Sequence, residues 1–137
     1  AVNWTITELN LSNQADRKFD DEAVNVLCGG LQKNESLHTL RLGNNGLTSD
    51  CCRGLGELLK CHPNLGKMEV YLNKQIGAAG FKLLAEGLES NSRLRILNFS
   101  DTSPGKEGGV ALKSSLWKQY KNTKKLIEET TKALKEC

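Results

Sequence analysis

Four times along this chain the apolar residues change their spacing. Stretches beginning at Ile6, Leu37, Leu65 and Leu94 read Ile6-Leu9-Leu11, Leu37-Leu40-Leu42, Leu65-Met68-Val70 and Leu94-Leu97-Phe99. In each, the last two residues stand two apart and so point to one face of a strand. Spacings of three and four then take over, the mark of one helical stripe. They appear as Cys52-Leu55-Leu59 and Phe81-Leu84-Leu88 and, less perfectly, as Val24-Leu27-Leu31 and Val110-Lys113-Leu116. Successive copies lie 31, 28 and 29 residues apart. One such unit buries about eight apolar side chains, worth on the order of 16 kcal/mol. Ordering its roughly 28 residues costs at least as much, so the units must stack and share their buried faces.

Strands pack about 4.8 Å apart and helices about 10 Å apart, so such a stack is expected to curve with its strands inside. Asp20, Asp21, Ser49 and Asp50 are the expected helix N-caps. Lys33-Asn34, His62-Pro63-Asn64 and Ser90-Asn91-Ser92 are the expected turns back to the next strand.

Asn45 and Asn73 follow two of the strand patterns, with Gln14 and Thr102 in the other two. The pattern L-x-x-L-x-L-x-x-N is the leucine-rich repeat signature. "LRLGNNGLTSDCCRGLGELL" resembles the Cys-bearing unit of the ribonuclease-inhibitor class, and "QIGAAGFKLLAEGLESNSRLRIL" its Gly-bearing partner unit. Such units are typical of the sensor regions of NOD-like receptors of innate immunity. The resemblance covers about residues 5 to 117. It implies an α/β leucine-rich repeat solenoid: a curved stack of strand–helix units, with repeats about 6–36, 37–64, 65–93 and 94–117 and a parallel concave sheet. Function on this scaffold varies with the site it carries.

After Leu116 no fifth strand pattern appears. Instead Leu126, Ile127, Thr130, Ala133, Leu134 and Cys137 share one helical stripe. The expectation is a separate C-terminal capping helix, about 122–136, with Trp117 and Tyr120 packed beneath it. The rival reading is an amphipathic helix presented to a partner or an acidic surface. At the other end Ala1-Val2-Asn3-Trp4 is too short for a capping unit, so either the chain is a fragment of a longer protein or Trp4 serves as a lid.

Charge narrows the function. The net charge is +3, and from Lys113 onward seven lysines face three glutamates. The excess sits on one helix with few aromatics, so no nucleic-acid partner is expected. No apolar run reaches the roughly 18 residues of a membrane helix. Five cysteines, an odd number that includes the adjacent Cys51 and Cys52, argue for free thiols in a reducing cytosol or nucleus, and a cytoplasmic protein is expected. The sequons at Asn3, Asn10, Asn34 and Asn98 are discounted, because three fall on or beside expected strands.

Cys51, Cys52, Cys61 and His62 lack the paired spacing of a tetrahedral zinc site. His38 and His62 have no nucleophile beside them, and no glycine pattern matches a phosphate loop. No metal, cofactor, small-molecule substrate or catalytic residue is therefore expected, and the chain reads as a non-enzyme.

The concave face remains. Residues flanking the buried strand positions point outward: Glu8, Asn10 and Ser12; Thr39, Arg41 and Gly43; Lys67, Glu69 and Tyr71; Ile96, Asn98 and Ser100. Arg41 and Glu69 fall in one column on neighbouring strands, placed either to pair with each other or to meet a partner. The expected partner-binding residues are Arg41, Glu69, Tyr71, Lys67, Ile96 and Asn98. A protein partner is expected there, as in a NOD-like receptor's leucine-rich repeats. The alternative is an actin-binding domain like tropomodulin's C-terminal half, also a short stack closed by a helix. A nuclease inhibitor would call for an acidic face. A Ran GTPase activator would act through loop residues such as Asn44, Asn45, Lys74 and Asp101.

Overall fold

A computed structural model of the chain describes residues 6–17 and 19–136. The expected lid Trp4, the Asn3 sequon and Cys137 lie outside them. Strand β1 (Glu8–Asn10) is followed by helix α1 (Asp21–Leu31), β2 (Thr39–Arg41) by α2 (Cys52–Cys61), β3 (Lys67–Glu69) by α3 (Gly77–Glu89), and β4 (Ile96–Asn98) by α4 (Gly105–Lys135). The four strands form one parallel sheet in sequence order, with Leu9, Leu40, Met68 and Leu97 in register across it.

The core lies between sheet and helices, where Leu40, Leu42, Met68, Val70, Leu55, Phe81 and Leu84 are fully buried. Buried amides close the loop after each inner strand. Asn73 accepts from the Asn45 and Leu47 N–H groups and donates to the Leu42 and Val70 carbonyls. Asn45 likewise donates to the carbonyls of Leu11 and Leu42. These side chains satisfy backbone groups that stacking has cut off from water. The turn before each following strand uses the same device. Asn34 Oδ1 accepts from the Ser36 and Leu37 N–H groups, and Asn91 Oδ1 from those of Arg93 and Leu94. Between them His62 Nδ1 takes over that role for Asn64 and Leu65.

Of the expected caps, Asp20 accepts from the Ala23 N–H. Asp21 instead reaches into the next unit and accepts from the Thr48 N–H and hydroxyl. The expected stripe of α1 shifts by one residue at its centre: Cys28 is buried and Leu27 only partly so. On α4 the shift is larger. Gly108, Leu112 and Ser115 face α3, whereas Val110 is 60 % and Leu116 52 % exposed. Gly108 sets this rotation, since even a methyl there would stand 3.1 Å from Phe81 Cβ.

The expected architecture, a leucine-rich repeat solenoid with a separate C-terminal capping helix, is corrected. The structure is a small α/β domain of four helices on one four-stranded parallel sheet. Residues 105–135 form a single helix of 31 residues, with no break near Asn122. From Tyr120 to Glu136 every residue is exposed. The stripe meant to close the stack faces water, with Leu126 at 63 %, Ile127 at 61 % and Leu134 at 70 %. Trp117 and Tyr120 stack on each other with ring centroids 5.2 Å apart, rather than beneath a cap. The physical reason is local: no Gly or Pro interrupts Val110 to Glu136, and Lys, Leu, Gln and Glu are good helix formers. Nothing bends the chain back.

Candidate partner-binding face

The short strands place five of the six expected residues in two rows, and Tyr71 follows the end of β3. Lys67 and Ile96 lie in register with Glu8 and Thr39, and Arg41, Glu69 and Asn98 with Asn10. The geometry divides them. Arg41 stands between two carboxylates, its Nε 2.9 Å from Glu8 Oε1 and a terminal nitrogen 3.5 Å from Glu69 Oε1. Its N–H is not aimed for a hydrogen bond to Glu8, so the first contact is electrostatic. Lys67 Nζ lies 3.1 Å from the same Glu69 oxygen. Glu69 therefore sits between two cations, and only 10 % of its side chain is exposed. The two acids and two bases form a cross-strand ladder that neutralises itself.

Tyr71 lies across Gly43, so closely that a methyl at residue 43 would collide with the ring. Glycine is thus what seats the phenol on the sheet, half-buried. Asn98 Oδ1 accepts from the Ser100 N–H and hydroxyl, turning the chain after β4. Ile96 is left 51 % exposed with no apolar neighbour across its row.

One residue of this face escaped the sequence reading. Leu72 follows Tyr71, is 41 % exposed, and has φ +56°. The equivalent positions after the other strands, Asn13, Asn44 and Asp101, share that left-handed conformation. Asn and Asp tolerate it; a leucine held there is strained. The signal lay in the comparison of copies, because a large apolar residue occupies the slot that turn-forming polar residues fill elsewhere. Tyr71 and Leu72 thus stand at one end of the strands and Ile96 at the other, with the charge ladder between them.

The loop residues of the activator reading differ in their surroundings. Asn45 is buried in the amide ladder, and Asn44 Nδ2 donates to Asn13 Oδ1 at 2.7 Å. Lys74 and Asp101 are exposed. Cys28, Cys51, Cys52 and Cys61 are free thiols. Burial pushes the Cys28 thiol up to about 12. Cys51 is raised by its hydrogen bond to Cys52 and by burial, and Cys61 by burial and the Glu57 charge. Cys28, Cys51 and Cys61 are therefore poor nucleophiles at neutral pH. Burial lowers the pKa of His62, consistent with an imidazole that accepts at Nδ1. No group of three metal-ligating side chains occurs among the described residues, nor any helix long and apolar enough to cross a membrane.

No family model matches the sequence. The chain is similar to NACHT, LRR and PYD domains-containing protein 3 of Bos taurus, 34 % identical over 105 residues, covering 75 % of this chain and 10 % of that protein. It is similar to NACHT, LRR and PYD domains-containing protein 12 of Homo sapiens, 39 % identical over 90 residues, covering 65 % and 8 %. Against protein 1a allele 1 of the same series in Rattus norvegicus, identity is 33 % over 127 residues, covering 91 % and 10 %. The chain thus spans about a tenth of the length of the curated relatives it matches. In fold it matches a solved structure of leiomodin-1 actin-binding site 2, with TM-score 0.66, 16 % identity, and coverage of 94 % of this chain and 90 % of that one. The C-terminal domain of tropomodulin from Caenorhabditis elegans matches with TM-score 0.50, 15 % identity and 89 % coverage of each. These likenesses bear on architecture alone. They place the chain among compact α/β domains, in keeping with the correction above, while the sequence relatives are NOD-like receptor proteins with leucine-rich repeats.

Proposed function

We propose that this chain is a non-enzymatic, leucine-rich-repeat-type protein-interaction region resembling the sensor or regulatory part of a NOD-like receptor. Its protein partner docks on the sheet face, and its place of work is the cytoplasm. The observation that carries the site is Leu72, a strained and exposed leucine beside a tyrosine seated on glycine. Strain of this kind persists where function uses it, and tyrosine and arginine are common binding anchors. Tyr71, Leu72 and Ile96 supply apolar contact. Arg41, Lys67 and Glu69 form a pre-organised polar rim, and Asn98 shapes its edge.

The test compares the proteins retained by the immobilised chain with those retained by the double variant Arg41→Ala/Tyr71→Ala, followed by calorimetry on the partner found. Loss of such anchors costs about 2 kcal/mol or more, roughly thirtyfold in affinity. Full affinity in the double variant moves the site to Lys74 and Asp101 or to α4. The second reading, actin binding, draws on the fold likeness to leiomodin-1 actin-binding site 2 and the tropomodulin domain. Titration of monomeric actin separates the two, since saturable binding of actin favours the second.

A further inference from the structure

The exposed part of α4 carries a pattern that the fold of one copy does not use. Leu116, Tyr120, Thr123, Ile127, Thr130 and Leu134 are spaced 4-3-4-3-4. That is the a/d seam of a heptad repeat, which calls for a second helix along it. Its four large members are 52 %, 53 %, 61 % and 70 % exposed, and both threonines are exposed. A soluble surface seldom lines up apolar side chains in this way without a partner.

We infer that this seam joins two copies of the chain through antiparallel pairing of their α4 helices. Pairing about a twofold axis near Lys125 sets Leu116 against Leu134 of the second copy, Tyr120 against Thr130, and Thr123 against Ile127. Every layer then holds at least one large apolar side chain, and all six positions are used.

Charge selects the orientation. Lys118, Lys121, Lys124 and Lys125 occupy the first part of the seam with no acid among them. Glu128, Glu129 and Glu136, with Lys132 and Lys135, occupy the rest. Antiparallel pairing lays the strongly positive stretch along the weakly negative one, whereas parallel pairing would lay it along its own like. It also sends the two α/β bodies to opposite ends.

Area is adequate. With Trp117 and Leu126 the seam offers six large, half-exposed side chains, at roughly 100 Å² each. That makes about 600 Å² per copy, approaching the ~800 Å² per partner of an ordinary stable interface. The end of the second helix also arrives at the open apolar groove formed by Phe99, Leu112, Leu116 and Trp117. One symmetric contact thereby covers both the seam and the groove beside it.

This inference is independent of the partner proposed for the sheet face. Sedimentation equilibrium of the 137-residue chain tests it. The expected result is a monomer–dimer equilibrium with a dissociation constant in about the micromolar range. Ile127→Lys should weaken it at least about tenfold, with the circular dichroism spectrum unchanged because residue 127 is exposed in the monomer. Added salt should weaken an antiparallel contact by screening its attraction. A monomer persisting to about 500 μM, an Ile127→Lys variant that dimerises as well as the parent, or a dimer that salt tightens would each overturn the inference.

Discussion

Leu55 on α2 and Leu126 on α4 are the same residue type on helices of the same chain, yet one is fully buried and the other 63 % exposed. The difference is what lies alongside. The helix α2 is flanked by α1 and α3, and its glycines draw the neighbours in: a methyl at Gly56 would stand 2.9 Å from the Leu83 carbonyl oxygen of α3. The far end of α4 has run past the last residue of α3, Glu89. Gln119 ties the helix to the body just there, donating to the Leu88 and Asn91 carbonyls. Beyond it the helix continues on its own propensity, as an extension of turns already nucleated against α3. An apolar stripe is thus a request for a neighbour, and tertiary context decides whether it is met.

Truncating one side chain in each region puts that contrast at risk. Phe81 is fully buried, with its ring edge-to-face against Phe99 at 5.3 Å. Phe81→Ala should lower stability by about 3–5 kcal/mol in urea melts. Leu126→Ala, measured at micromolar concentration or below, should change it by less than about 0.5 kcal/mol. Equal losses would mean that the end of α4 folds back onto the body.

A smaller change sharpens the boundary between packing and function. Leu72→Asn replaces the strained leucine by the residue type found at Asn13 and Asn44. It should raise stability by about 0.5–1 kcal/mol, since left-handed backbone costs a leucine more than an asparagine. The same variant should weaken partner binding. A variant that is destabilised would show that Leu72 serves the packed body after all.

Much of this was legible in the sequence, and what was not has physical causes. Leu40, Leu42, Met68 and Val70 announced their burial by spacing alone, because a strand covered on one face permits no other alternation. Asn45 was readable as a turn residue for the same reason that buried backbone groups need partners. The end of α4 was misread because an amphipathic stripe states which face is apolar, not what covers it. Glu69 was expected either to pair with Arg41 or to meet a partner, and it is shut in by two cations. One is Arg41 on the neighbouring strand, which the column of the strands suggested. The other is Lys67 two residues before it, which depends on how that side chain folds back. Leu72 was missed because strain belongs to the backbone angle, and only the alignment of the four copies hints at it.

The charge ladder of Glu8, Arg41, Glu69 and Lys67 has a consequence for how fast a partner arrives. Two acids and two bases held within a few ångströms of one another leave almost no field beyond a Debye length. The ladder itself neither pulls in nor turns a protein approaching the sheet face, so the face adds no steering to an unsteered encounter rate of about 10⁵–10⁶ M⁻¹s⁻¹. Stopped-flow association measured at low and high ionic strength should then give nearly the same rate constant. Selectivity on such a face is exercised after collision, in how long the complex lasts rather than in how often it forms.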